Sequence, residues 1–293
     1  MAGYYGCLMG EPTDHLKKDS SYYNDELYDF DRAAVGWEAS NTGLGKKYTM
    51  TELNAGSGNW TNGSNDTLPA VISNKAIPGT DVLVVGSVSA EQTVEVAGVS
   101  GENVKTNGST DIDKGRIVVV VMGDCSGAER FQKRNNANGN DLTRGGGSKP
   151  GNDNSLALHS HTGHSRVYTY HSTGFYIGEG VNDEPALFRV NLDPGTSSTP
   201  IELVSGVESM QVLYGLKAQN QRAVARYVTA NSVTDWRDVV SVRVALLMRS
   251  GDKVLDENSS QTFNLAGTEI DPGTDRRVRL VATTTIGIRN RLE

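Results

Sequence analysis

The chain of 293 residues is long enough for one large β-rich domain or for two domains of ordinary size. Its 33 glycines, with only 37% hydrophobic and 6% aromatic residues, favour short strands joined by polar loops over a helical bundle. The net charge of −7 argues against broad binding to a nucleic-acid backbone, although it leaves room for a local basic patch.

The N-terminal part of the chain carries few residues that could form a core. It opens on the apolar and aromatic stretch "MAGYYGCLM", continues through charged residues at 10–32 and reaches a short apolar patch around Trp37. Residues 40–67 are rich in glycine, asparagine and serine, which predicts a loop-rich insertion. No signal peptide or membrane-spanning run is present, so we expect a cytoplasmic protein or a fragment of an exported one.

Strand signals begin near residue 80 and dominate the rest of the chain. The runs are rich in β-branched residues or alternate apolar with polar ones: "TDVLVVGSVS", "QTVEVAGVS", "GRIVVVVMGDC", "RVYTYHSTGFYIGEG", "DVVSVRVALLMRS" and "RRVRLVATTTIGIRNR". The run "IVVVV" is apolar on both faces, which predicts a central strand. Helical crossovers are missing between these runs, so a mainly antiparallel sheet is expected. Residues 133–158 are of low complexity and predict a second loop-rich insertion.

Four of the five histidines fall close together in "HSHTGHSRVYTYH". On a strand, His159 and His161 would share a face and could begin a metal site. The competing interpretation is a polar loop that runs into a strand, because no cysteine and no HExxH spacing accompanies His159, His161, His164 and His171. We therefore predict no metal site, and a metal-dependent enzyme built on these histidines is the less favoured hypothesis.

Three other stretches resemble functional motifs only in part. Residues 136–141 look like a calcium loop but lack its acidic twelfth ligand. "GLGKKY" at 43–48 has the wrong spacing for a phosphate-binding loop, and no GxSxG nucleophile elbow occurs. The triplets at Asn59, Asn62 and Asn65 would be glycan acceptors in a eukaryotic secreted protein and only a polar loop in a bacterial one. We predict no catalytic and no cofactor-binding residue, and expect that the chain is not an enzyme.

The arginines near the C-terminus could form a basic face. The expected arrangement is a solvated strand face whose arginines pair with acidic residues, and the alternative is a patch that binds a partner or touches DNA. These arginines are Arg276, Arg277, Arg279, Arg289 and Arg291.

The two cysteines, Cys7 and Cys125, leave two interpretations open when only the residues are considered. They fit one disulfide in an oxidising compartment, or two unrelated buried thiols.

Several ordered blocks of the sequence resemble the PilW family of type IV pilus minor pilins. They are "MAGYYGC", "GRIVVVVMGDCSGAERFQ", "FYIGEGVNDEPALFRV", "IELVSGVESMQVLYG", "RYVTANSVTDWRDVVSVRVALLMRS" and "DRRVRLVATTTIGIRNRL". The similarity covers the start and most of residues 115–292. It implies an α+β, pilin-like fold in which the remnant of an N-terminal helix packs on a mainly antiparallel β-sheet, with long loop insertions at 40–67 and 133–158.

The resemblance also implies how the chain is organised. Residues 1–293 would form a single periplasmic domain, and the membrane helix with which family members begin would be absent from this sequence. Because the periplasm is oxidising, the family setting favours a disulfide between Cys7 and Cys125.

The implied function is structural. The chain would be a non-catalytic minor pilin of the tip or priming complex that initiates pilus assembly and supports twitching motility, adhesion and possibly DNA uptake. Its expected partners are other minor pilins, the major pilin, a large tip adhesin and, through the absent helix, the inner membrane, with no direct nucleic-acid contact. It would lie at the periplasmic face of the inner membrane before assembly and at the pilus tip afterwards. The alternative is a secreted β-rich module that binds carbohydrate or another surface ligand.

Overall fold

A computed structural model describes residues 13–23, 25–28, 32–50, 54–124, 126–161, 164–218 and 223–288. Its strands are β1 Thr13–Asp14, β2 Ala34–Ala39, β3 Lys47–Thr49, β4 Trp60–Thr61, β5 Val82–Ser100, β6 Asn103–Thr106, β7 Ile117–Val121, β8 Ala128–Gln132, β9 Asp141–Thr143, β10 Arg166–Glu179, β11 Pro185–Asn191, β12 Ile201–Ser205, β13 Val207–Lys217, β14 Val224–Val228, β15 Val239–Arg249, β16 Phe263–Leu265, β17 Thr268–Asp271 and β18 Arg279–Gly287.

The predicted α+β fold is wrong, because nearly all of the regular secondary structure is β. Strands make up 47% of it and helical residues 5%. The α-helices found in the described residues are single four-residue turns, α1 Asp25–Tyr28 and α2 Ala70–Ser73. The helix was expected from the family resemblance, whereas the apolar and polar residues of the runs after residue 80 follow the period of a strand. Its predicted remnant at the start of the chain lies outside the described residues.

No helix in the described part of the chain is long and apolar enough to span a bilayer.

The chain divides into two compact units. The first takes in the described residues of 1–31, 86–172 and 191–197, and the second those of 32–85, 173–190 and 198–293. The single domain predicted over residues 1–293 stays a prediction.

The first unit is built around β7, whose five residues are all buried. This strand pairs antiparallel with β8 on one side and with the start of β10 on the other, which confirms the central position predicted for "IVVVV". Val118, Val120, Phe131 and Val167 form its core with residues of β5, β6 and β9. The short β1 adds to β8 in parallel, with Thr13 opposite Glu129.

The second unit contains a four-stranded antiparallel sheet in the order β14-β13-β15-β18. Ala245 and Leu247 on β15 pack with Leu265 and Ile270 to form one of its cores. Leu265 and Ile270 belong to a three-stranded sheet in the order β16-β17-β3, in which β17 and β3 run parallel. Apart from such short parallel pairs, the strands pair antiparallel, as the sequence predicts.

Strands β2 and β13 of the second unit approach each other closely at Gly36 and Tyr214. Strand β2 is buried along all six residues, and at Gly36 a Cβ atom would lie only 1.7 Å from the Tyr214 hydroxyl. Tyr214 in turn meets Trp236 edge to face, with ring centroids 4.9 Å apart. The glycine is needed here because no side chain fits between β2 and the Tyr214 ring.

Candidate interaction surface

Strand β18 forms the edge of the four-stranded sheet. It pairs with β15 over nine consecutive residues, from Ser241 opposite Gly287 to Arg249 opposite Arg279, without a bulge. In the described residues, no strand pairs with its other side. Unpaired edges expose a row of backbone donors and acceptors and can template the addition of another strand.

The side chains of β18 leave this edge unprotected. Leu280 is 63% exposed and Ile286 is 56% exposed, and both belong to the face that also carries Ala282 and Thr284. The segment 280–287, "LVATTTIG", contains no charged residue and no proline. Charges, prolines and bulges are the usual devices that keep an edge strand from pairing with another chain, so β18 is a candidate contact surface.

Strand β12 is a second exposed edge. It pairs only with β11 among the described strands. Ile201, Leu203 and Val204 are each more than two-fifths exposed, so an apolar strip lies open to solvent. Isolated exposed apolar residues are common, whereas two apolar edge strands indicate contact with a partner.

An ion-pair network where β15 ends and β18 begins takes in two of the five C-terminal arginines, Arg277 and Arg279. Arg279 Nε donates to Glu208 Oε2 over 2.7 Å, and both side chains are 3% exposed. Arg279 also reaches Asp275 at 2.7 Å, and Arg249 reaches Glu208 at 3.0 Å. Among the described C-terminal arginines, Arg277 and Arg279 therefore pair with acidic residues, which is the arrangement expected from the sequence.

The neighbouring Arg276 and Arg277 differ in their surroundings. Arg277 lies 3.0 Å from Glu184, and Arg276 is exposed. Arg289 and Arg291 lie outside the described residues.

Two of the predicted histidines meet around a buried carboxylate of the first unit. His159 Nδ1 lies 2.5 Å from Glu129 Oε1, and His161 Nε2 lies 2.9 Å from Glu129 Oε2. His15 completes the group, with Nε2 at 3.8 Å from Glu129 Oε1. Burial alone would raise the pKa of Glu129, but the imidazoles of His15 and His161, together with the backbone and ring N–H of His159, hold it well below its usual range.

Hydrogen bonding around His15 argues against a metal at this cluster. Arg144 Nη1 lies 2.5 Å from His15 Nδ1, and because a guanidinium only donates, this nitrogen accepts. The ring proton therefore sits on Nε2 and points toward Glu129. A metal on Nε2 would need that proton on Nδ1, against the Arg144 donor. Among the described residues, no group of three or more His, Cys, Asp or Glu could hold a metal ion.

The other two predicted histidines lie apart from this cluster. His171 Nδ1 is 2.9 Å from Asp193 Oδ2, which also accepts from Arg116 at 2.6 Å. His164 is exposed, at 3.9 Å from Glu95. His159 and His161 do not share a strand face, because β10 begins only at Arg166.

The other motif-like stretches are structural. Lys133 Nζ donates to the carbonyl oxygens of Asn135 and Asn136, so an ammonium lies where the calcium-like loop begins. "GLGKKY" is a turn that leads into β3. Asn62 is buried, and its side-chain amide is hydrogen-bonded on both sides. Nδ2 donates to Asp66 Oδ2 over 3.0 Å, and Oδ1 accepts from the Asp66 N–H over 2.8 Å.

The predicted disulfide cannot be placed, because Cys7 and Cys125 both lie outside the described residues.

Three buried residues of the histidine cluster were missed by sequence reasoning: His15, Glu129 and Arg144. No local signal could have found them, because they are brought together only by the pairing of β1 with β8 and by the turn after β9.

The described part of the chain is a β-rich protein with exposed apolar strand edges. Residues 174–290 match the family model described as PilW, Type IV Pilus-assembly protein W. The match confirms, over this segment, the resemblance noted in the sequence, and it indicates a part in type IV pilus assembly, in association with the cell envelope or the pilus. No curated protein and no solved structure matches the chain.

Proposed function

We propose that this protein is a non-catalytic minor pilin of the tip or priming complex that initiates assembly of the type IV pilus. The observation that carries the proposal is the position of the two exposed, apolar strand edges. Both β12 and β18 fall within residues 174–290, the segment that matches the pilus-assembly family. A subunit that works by joining other subunits needs such open edges, and apolar side chains beside them supply contact area.

The proposed partners are other minor pilins, the major pilin and a large tip adhesin. Before assembly the protein would lie at the periplasmic face of the inner membrane, and afterwards at the pilus tip. Loss of the subunit would then reduce piliation, and with it twitching motility, adhesion and, where the organism takes up DNA, transformation. The alternative of a secreted module that binds carbohydrate or another surface ligand stays a hypothesis.

A pairwise binding assay with the minor pilins encoded beside this chain tests the proposal. The protein is immobilised, and binding of each neighbour is compared for the wild type and for an Ile201→Lys/Leu203→Lys variant, which places two charges on β12. We expect at least one neighbour to bind, and the variant to weaken that binding about tenfold or more, because a charge in an interface core must be desolvated.

A Leu156→Lys/Val254→Lys variant is the matched control, since it adds the same charge at exposed positions that belong to neither β12 nor β18. The proposed role is wrong if no neighbouring pilin binds the wild-type protein. Binding that both double variants retain would leave the role intact and would place the contact elsewhere than β12.

A further inference from the structure

The outer edge of β18 has its backbone groups turned away from the sheet at alternate residues. Ile288 donates its N–H to the Val240 carbonyl, and the Val278 carbonyl accepts from the N–H of Ser250, both over 2.8 Å. Even-numbered residues between these two therefore bond to β15. The odd-numbered residues Val281, Thr283 and Thr285 consequently turn their N–H and C=O groups outward.

The sequence of this edge is self-complementary. When two copies of β18 are aligned antiparallel around Thr283, the outward residues face each other: Thr283 faces Thr283, and Val281 faces Thr285. On the exposed face, Leu280 comes opposite Ile286 of the second copy, in the non-hydrogen-bonded pairs where side chains lie closest. Arg279 comes opposite Gly287, so no like charges meet.

We propose that β18 pairs antiparallel with β18 of a second copy of this chain, centred on Thr283, and extends the four-stranded sheet to eight strands. A twofold axis through Thr283 makes the contact isologous, because each copy offers the other the same patch. A second copy fits better than an arbitrary strand, since the twofold register sets Leu280 against Ile286 twice, once on each side of the axis, and opposes no like charges. The contact goes beyond the proposed function, because it needs no other pilus subunit.

Sedimentation equilibrium of the purified protein measures the association constant and tests the pairing. The most informative comparison is between the wild type and a variant that places like charges on β18. In a Leu280→Lys/Ile286→Lys variant, the lysine at position 280 of each copy faces the lysine at position 286 of the other. Like charges directly opposite each other on a sheet are destabilising, and with two such pairs we expect the association constant to fall by about tenfold or more. The circular dichroism spectrum should be unchanged, because both wild-type side chains are more than half exposed.

A Leu280→Lys/Ile286→Glu variant should restore association. Its opposite charges meet only between copies, since within one strand the two positions lie about 20 Å apart. A Thr283→Pro variant should abolish association, because it removes an outward N–H without touching the bonds to β15. The Leu156→Lys/Val254→Lys variant should associate as the wild type does.

Three results would overturn the proposal. The wild-type protein could remain monomeric at its highest soluble concentration, or the dimer could survive the two lysines on β18. Failure of the lysine and glutamate pair to restore the dimer would rule out the register centred on Thr283. None of these results depends on whether neighbouring pilins bind, so the pairing and the proposed function fail independently.

Discussion

His161 Nε2 lies 2.9 Å from Glu129 Oε2, and neither side chain has any exposed surface. The contact links the segment after β9 to β8 at the heart of the first unit. His15 and the half-exposed His159 approach the other carboxylate oxygen. A buried carboxylate is stable only when its oxygens are hydrogen-bonded, so this cluster fixes the loop through Glu129.

Replacing Glu129 with glutamine should cost about 2–4 kcal/mol of the free energy of unfolding at neutral pH, because buried charge-assisted hydrogen bonds are lost. The pKa of Glu129 is lowered in the fold, so its carboxylate stabilises the protein above the unfolded value of about 4.3. That contribution is lost as the pH falls through the folded value. Urea denaturation should therefore show the difference between variant and wild type shrinking between about pH 5 and pH 3.

Glu95→Gln is the matched control, since Glu95 is 43% exposed and lies 3.8 Å or more from His164 and Arg166. It should change the free energy of unfolding by no more than about 0.5 kcal/mol. A Glu129→Gln variant as stable as this control would contradict the structural role of the cluster.

Arg279 should be far more sensitive to substitution than its neighbour Arg276. Arg279→Ala leaves Glu208 buried with one cation fewer, and we expect a loss of about 2–4 kcal/mol in the free energy of unfolding. Arg279→Lys should recover only part of it, because Arg279 bonds Glu208 and Asp275 with separate N–H groups that one ammonium cannot replace. Thermal denaturation measures both, and Arg276→Ala, at an exposed position, should stay within about 0.5 kcal/mol of wild type.

The pKa of Asp275 provides a second measurement on the same network. The hydrogen bond from Arg279 lowers it to about 2. In Arg279→Ala, a carbon-detected titration should show this pKa moving up toward its ordinary value of about 3.9. An unchanged value would mean that Arg279 does not bind Asp275 in solution.

Strands could be predicted from this sequence because their signal is local. The apolar run at Ile117–Val121 identifies a buried strand by itself, and the β-branched residues at Arg279–Gly287 identify a further strand. The α+β fold class was predicted wrongly because it came from a family resemblance and not from a periodicity of these residues. The resemblance to the PilW family is confirmed over residues 174–290, the segment in which four of the six blocks lie almost entirely.

The histidine cluster could not be predicted, because its residues meet only through long-range pairing. His15 lies more than a hundred positions before Glu129, and only the parallel pairing of Thr13 with Glu129 brings the two strands together. The sequence drew attention to His159 and His161 as possible metal ligands, whereas in the structure one ring nitrogen of each contacts the Glu129 carboxylate. Whether imidazoles face a metal or a carboxylate depends on what the fold places opposite them, and spacing along the chain does not encode that.

The pairing of Cys7 with Cys125 stays a prediction, and thiol titration tests it. Protein exported to the periplasm should contain no reactive thiol when it is denatured without reductant. After reduction, two thiols per chain should react. A Cys7→Ser variant should then expose one thiol, and two reactive thiols in the unreduced wild-type protein would disprove the bridge.

Glu38 and Asp81 form a buried carboxyl pair in the second unit, between β2, β5 and β13. Asp81 accepts hydrogen bonds from the backbone N–H groups of Ala39 and Val212, at 3.0 and 2.8 Å. Burial raises the pKa of Glu38 to about 7. Burial and the nearby Glu38 also raise the pKa of Asp81 well above its usual range. Two carboxylates cannot both ionise cheaply in this site, so the folded protein holds protons that the unfolded chain releases.

Stability should consequently fall as the pH rises through neutrality. A raised folded pKa favours the protonated form, so the contribution of Glu38 is complete below its unfolded value of about 4.3 and is lost as the pH passes about 7. Glu38→Gln mimics the protonated acid, and at pH 8 it should raise the free energy of unfolding by about 1–3 kcal/mol while changing it little at pH 5. Urea denaturation at the two pH values measures the effect, with the more exposed Glu269→Gln as control. A Glu38→Gln variant whose stability falls between pH 5 and pH 8 as steeply as that of the wild type would show that Glu38 does not carry the proton.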